Sequence, residues 1–326
     1  MDRKNIVELI EASDLDGLVR LVDGFANMRE WSAIQELVER CGEAVERGKQ
    51  VWGAAHYGEY RLALDAPAEI AATVVVPGAG RFAPGPLWEV AASSHSWDEL
   101  DAHLSDPTMR SIVAQERALR GDGVPIDAVD VDHIDVPSHP QPWEPVYAGA
   151  VYRSDGVDVA GPELGDMLWI DLPERATRLA DDPATDALID LVLPWLEESS
   201  GRGEALVVEG SAEEAIRTLG PSRARVKEIE LADAMQLMTW TAASGGAYGR
   251  RRGTPAGRAA AWWALACLLG MEDDWPVDPK TLGEEGDTLR WLAWEPGDIA
   301  GGWSFHMAIE DIDEHLAWAV SAADEK

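Results

Sequence analysis

The sequence predicts an α+β protein that is mainly helical, with small antiparallel β elements, a helical N-terminal layer, and C-terminal helices plus a β-hairpin. Three observations carry that expectation. Apolar residues recur at helical spacing, uninterrupted by proline, over residues 1–66. Near the C-terminus RWLAWE (290–295) and GWSFHMAIE (302–310) alternate as half-buried strands do, joined by PGDIAG. Between these ends, proline and aspartate crowd residues 121–175. The expected organisation is a helical domain over 1–120, an Asp/Pro-rich loop and hairpin insertion over 121–175, and an α+β domain over 176–326. At 326 residues and 46% apolar content the chain can bury a substantial core.

Leu15, Leu18, Val19 and Val22 follow Ser13, the expected N-cap, and Trp31, Ile34, Leu37, Val38, Cys41 and Val45 continue the stripe. Gly48 and Gly53 are the places where this run can split. Residues 77–86 hold three prolines and three glycines and read as a connecting loop. Ser96 with Glu99 forms a capping-box pair, and Pro107 opens a helix that runs to Arg120. VYAGAVY (146–152), the turn RSDG and VDV (157–159) read as a hairpin. EALVVE (204–209) and RVKEIE (225–230) read as strands, with helices at Ser211–Leu219, Leu231–Ser244 and Pro255–Leu269, and a last helix from Ile312 to Ala323.

Charge narrows the function. Sixty acidic against 27 basic side chains give a formal charge of −33. Duplex nucleic acid and anionic membranes are poor partners for such a chain, because both demand a cationic surface. Only five residues are lysine, so arginine supplies 22 of the positive charges, and Trp (15) outnumbers Phe (3). Such a bias reads as a GC-rich genome. The N-terminus is charged from residue two with no long apolar run, unlike a signal peptide, and the apolar stretch 259–271 is too short to cross a bilayer. Cys41 and Cys267, each within an apolar helical pattern, read as buried thiols. A cytoplasmic protein is expected.

The most unusual local feature is SGGAYGRRRGTPAGR (244–258). Arg250, Arg251, Arg252 and Arg258 stand among glycines, with Thr254 ahead of Pro255 at an expected helix start. Forked guanidinium donors beside a helix N-terminus can hold an anion. The commoner role of such arginines is neutralising the protein's own carboxylates. Trp291, Trp294 and Trp303 on the C-terminal hairpin are candidates for an aromatic cleft, with core filling as the more frequent alternative. Asp122, Asp127, Asp130, Asp132 and Asp135 with His133 and His139 have the donor chemistry of a cation site, yet the EF-hand spacing is absent, and no metal is assigned. GK[ST], HExxH, GxSxG and CxxC are also missing, and no cofactor is expected.

GAYGRRRGTPAGRAAAWWALACLLG (246–270), DDWPVDP (273–279) and GWSFHMAIEDIDEHLAWAV (302–320) resemble an uncharacterised family of actinobacterial proteins, over about a quarter of the chain at its C-terminal end. That family has no assigned activity, so the resemblance implies lineage and transfers no catalytic residue. The leading expectation is a non-catalytic interaction protein, regulatory or immunity-type, whose acidic surface meets a basic protein partner. The alternative is an enzyme or small-molecule binder holding an anionic ligand at 244–258.

Overall fold

The computed structural model describes residues 4–129, 135–297 and 302–325. Contacts group the chain into two units, Met1–Asp130 with Ala148–Val159, and Val131–Tyr147 with Ala160–Lys326. Residues 121–175 are thereby divided between the two, the hairpin going with the first.

The first unit holds α1 (Lys4–Ala12), α2 (Leu15–Met28), α3 (Trp31–Glu46), α4 (Trp52–Asp65), α5 (Ala68–Ala71), α6 (Leu87–Ser94), α7 (Trp97–Leu100) and α8 (Pro107–Leu119). Leu18, Leu21, Val22 and Phe25 of α2 face inward, as do Ile34, Leu37 and Cys41 of α3, whereas Leu15 and Val45 of the expected stripe are exposed. The cap of α2 is Asp14 rather than Ser13. Asp14 Oδ1 accepts from Gly17 N at 2.9 Å, while Ser13 takes a left-handed φ of 54° just past the end of α1. The long run breaks into four helices rather than two: at Ser13, at Arg29 with φ 56°, and near Gly48 with φ 85°, whereas Gly53 stays inside α4. Gly58 brings α4 close to α3, because a Cβ there would stand 2.6 Å from Val38 Cγ2. The Ser96–Glu99 capping box forms as expected, and Asp106 caps α8 through Met109 N at 2.9 Å.

The hairpin is shorter than predicted: only β1 (Val151–Arg153) and β2 (Gly156–Asp158) pair. Ahead of it, Gly149 passes within 2.6 Å (as a Cβ would measure it) of the Arg120 guanidinium, and Arg120 donates to Ala150 O at 2.8 Å. The backbone is thus turned toward α8 instead of a partner strand. Tyr152 then donates to the fully buried Glu89 at 2.6 Å.

The second unit is a six-stranded antiparallel sheet between two helical layers. Its strands are β3 (Leu168–Asp171), β4 (Arg202–Glu209), β5 (Arg223–Ile229), β6 (Arg290–Glu295), β7 (Trp303–Asp311) and β8 (Leu316–Asp324), in the order β3-β5-β6-β7-β8-β4. On one face lie α9 (Pro183–Asp190), α10 (Leu193–Glu197), α12 (Leu231–Ala243), α13 (Thr254–Leu268) and α14 (Pro279–Gly286), packed on Val207, Trp291, Phe305, Met307, Trp318 and Val320. The other face buries Leu206, Val208, Leu292, Trp294, Ala308, Ala317 and Ala319 against α11 (Ala212–Leu219). Four elements, β3, α9, α10 and α14, have no counterpart in the sequence reading. All are short, and Pro lies in the first turn of each of the three helices.

The last helix expected from Ile312 to Ala323 is instead a turn and the strand β8. Asp311 Oδ1 accepts from the backbone N–H of Asp313 and Glu314, each at 3.0 Å, and His315 at φ 54° completes the reversal. β8 then pairs with β7 from Asp311↔Leu316 to Trp303↔Asp324. Because both faces of this strand are covered, its apolar residues do not alternate with polar ones, and an alanine-rich continuous run reads equally as helix.

Helices α12 and α13 meet at Gly257, where a Cβ would lie 2.3 Å from Thr239 O and 2.7 Å from Ala243 N. Gly257→Ala must push the two helices apart, and we expect a loss of about 1–3 kcal/mol in urea unfolding. An unchanged midpoint would contradict this close approach.

Candidate functional site

After α12 ends, residues 244–253 fold back upon themselves before α13. A Cβ on Gly245 would lie 2.2 Å from Gly249 O, so only glycine allows the crossing. Several of the loop N–H groups that could cradle an anion are engaged within the second unit. Ala247 N donates to Asp324 Oδ2 at 2.5 Å, Tyr248 N to Ser199 Oγ at 3.1 Å, Arg250 N to Glu198 Oε2 at 3.2 Å and Arg252 N to Ala243 O at 2.8 Å. Two of these acceptors are carboxylates, in the place where a guest anion would sit.

The four arginines do not share one environment. Arg250 and Arg252 are exposed, Arg251 is buried, and Arg258 on α13 is fully buried. Arg258 grips Glu144 through two bonds of 2.6 Å, from Nε and Nη2, and reaches the carbonyl oxygens of Pro137 and, at 3.2 Å, His139. The same carboxylate accepts from Tyr147 at 2.5 Å, Trp262 Nε1 at 3.1 Å and Gln141 N at 2.8 Å. Burial, with the Glu144 charge beside it, raises the Tyr147 phenol well above its usual range. A guanidinium and a carboxylate so fully satisfied form a structural knot. Thr254 is the first residue of α13 rather than its cap, a place taken by Gly253 at φ 92°.

The three tryptophans expected to line one cleft do not do so. Trp291 and Trp294 lie three residues apart on β6, hence on opposite faces, and each is only 2% exposed. Trp303 instead joins Trp240 and Trp195, with ring centroids 5.0 and 6.5 Å away. Trp195 Nε1 donates to Ser244 Oγ at 2.9 Å, so this cluster buttresses the start of the 244–253 loop.

Among the described residues no three His, Cys, Asp or Glu side chains are placed to hold a metal. Asp130, Asp132 and His133 lie outside the described residues. Asp122 is bound by Arg117 Nε at 2.7 Å and by Trp97 N at 2.8 Å, and the Arg117 bond holds its carboxyl below the usual range. Asp127 and Asp135 are exposed, and His139 Nδ1 lies 2.9 Å from Ser138 Oγ. Burial pushes the thiols of Cys41 and Cys267 up to about 11 and about 12, which makes both unreactive at neutral pH.

The first unit contains a polar cleft that the sequence reading misses, about 540 Å³ in volume, whose lining includes Arg29, Trp31, Arg61, Asp65 and His95. Arg61 is 6% exposed and is tied to Asp23, to Asp65 at 2.6 Å and to Tyr57 at 3.1 Å. His95 Nε2 is buried without a hydrogen bond, and burial lowers this imidazole below its ordinary value, so it is neutral at pH 7. Tyr57, Arg61 and Asp65 stand at i, i+4 and i+8 on α4; a charged pair inside an apolar stripe is the signal that marks them.

Residues 16–313 match a family described as a family of unknown function (DUF6183), a span that takes in the N-terminal helices as well as the C-terminal segments. No curated protein and no solved structure matches the chain. Among the described residues no helix is long and apolar enough to cross a membrane.

Proposed function

We propose that this chain, which belongs to the family of unknown function DUF6183, is a non-catalytic, cytoplasmic interaction protein of regulatory or immunity type whose acidic surface engages a basic protein partner. The observation that carries the reading is where the charge sits. Among the described residues, the charged side chains held in the interior are Arg61, Arg251 and Arg258 against Glu89, Glu116, Glu144 and Asp324. The interior carries an excess of only one carboxylate, so nearly all the excess of acid over base in a chain of net charge −33 lies outside it. Several arginines are further spent within the fold: Arg117 on Asp122, Arg120 on Glu116, and Arg290 on Glu213, Glu228 and Glu310 together. A surface of one sign accelerates encounter with an oppositely charged partner and repels nucleic acid and anionic lipid. An actinobacterial lineage belongs to the same reading, supported by the excess of arginine over lysine.

The alternative, a guest anion at 244–258, has less support, since Arg258 is committed to Glu144, Arg251 is buried, and loop N–H groups donate to Asp324 and Glu198. It is the weaker reading on that ground.

Fluorescence anisotropy with a labelled oligolysine peptide tests the proposal. Binding is expected to weaken about tenfold or more when salt rises from ~0.05 to ~0.5 M, as the Debye length contracts. Absence of binding at low salt, or a flat response to salt, would overturn it.

A further inference from the structure

The two edges of the six-stranded sheet are treated differently. Along β4 the outer side is covered: Arg178 bridges to Val208, and Leu179 N donates to Val207 O at 2.9 Å. Along β3, among the described residues, no strand follows. Leu172 N donates to Ser222 O at 3.0 Å, in register with the pairs Ile170↔Ala224 and Leu168↔Val226. The antiparallel alternation therefore points the N–H and C=O groups of Trp169 and Asp171 outward, away from β5.

β3 is short, yet neither lysine nor proline interrupts it. Proteins blunt an open strand with lysine, proline or a covering loop. Here Leu168 is 74% exposed and Trp169 50% exposed, and Pro173 stands only beyond the end of the strand. Trp169 is not loose: the Arg223 guanidinium stacks on its ring at 5.1 Å, and Gly297 lies so close that a Cβ would meet the ring at 2.4 Å. An apolar platform held in place, beside unpaired backbone groups, is what strand addition uses. The flanking side chains choose the occupant. Glu163, Asp166, Asp171 and Glu174 are all exposed around β3, and of the nearby arginines Arg223 is already paired with Asp171 at 2.9 Å. Two such acidic edges repel each other, which disfavours a second copy of this chain and favours a cationic strand.

We infer that the open edge of β3 docks an extended, basic segment of a partner protein, which adds to the sheet as a seventh strand. The inference rests on the acidic-surface reading for the sign of the partner and adds its conformation and place. Backbone hydrogen bonds to Trp169 and Asp171 supply the register, Trp169 takes the apolar side chains on its face, and Glu163, Asp166 and Glu174 take its cations.

The test uses the full-length protein and two probes, a peptide of about eight residues alternating lysine and valine, and oligolysine of equal length. The alternating peptide is expected to bind about tenfold more tightly than oligolysine and to slow hydrogen exchange of the Trp169 and Asp171 amides at least about tenfold. Trp169→Ser should weaken the alternating peptide about tenfold and leave oligolysine binding unchanged. Binding of the alternating peptide with unaltered exchange at both amides would overturn the edge site while the acidic-surface reading stands. Protection of these amides with no response to salt would overturn the acidic-surface reading and leave the edge site in place. No binding of either peptide at low salt would overturn both.

Discussion

Replacing Arg258 by methionine is expected to destabilise the second unit by about 3–5 kcal/mol in urea unfolding, because it strands the Glu144 carboxylate in the interior. Both side chains are 0% exposed and share two bonds of 2.6 Å. The remaining donors, Tyr147, Trp262 and the Gln141 N–H, cannot neutralise a buried negative charge. Adding Glu144→Gln to Arg258→Met removes that charge, so the double variant should lose less than the two single losses combined. If the single variant lost under about 1 kcal/mol, the knot would not be a determinant of stability. This prediction also bears on function, since an arginine needed to hold the fold together is withdrawn from any role with a guest.

The second large effect is expected in acid. His306 on β7 packs against Trp294, ring centroids 4.7 Å apart, with its Nδ1 buried and without a hydrogen bond. Burial alone pushes its imidazole down to about 4. Above the unfolded value of about 6.5 both folded and unfolded chains hold it neutral, and it contributes nothing to pH dependence. As pH falls from about 6.5 toward 4 the unfolded chain binds a proton that the folded chain refuses, and stability drops by about 3 kcal/mol across that window. His306→Phe keeps the aromatic contact and removes the titration. Its unfolding free energy should therefore fall less than that of the wild type between pH 6.5 and 4; parallel curves would show that His306 is not the group responsible.

Much of the fold is legible in the chain because local signals decide it. Proline-free periodicity marks residues 1–66 as helical, the Ser96–Glu99 box and the Asp106–Pro107 pair place helix starts, and the strict alternation of residues 302–310 places β7. Where two local meanings compete, the sequence reading takes the wrong one. LAWAVSAA is rich in alanine and apolar throughout, and only the layers on both sides of β8 make it a central strand. The aromatic cleft fails on simple parity, since residues 291 and 294 of one strand cannot face the same way.

The candidate site shows the same division. The Gly/Arg segment is conspicuous in the sequence, yet its arginines belong to separate surroundings, and the partner that binds Arg258 is Glu144, more than a hundred residues earlier in the chain. The family match extends the kinship well beyond the C-terminal segments that carry the resemblance.

Composition and periodicity alone settle that the molecule is strongly acidic, mainly helical and furnished with a C-terminal β element, because those properties sum over the chain or repeat within a few residues. Folding decides which charges cancel, which face of a strand is covered and which sheet edge stays open. Those outcomes depend on contacts between residues far apart in sequence, where a carboxylate meets a guanidinium or a backbone N–H finds no strand, and no local pattern records such meetings.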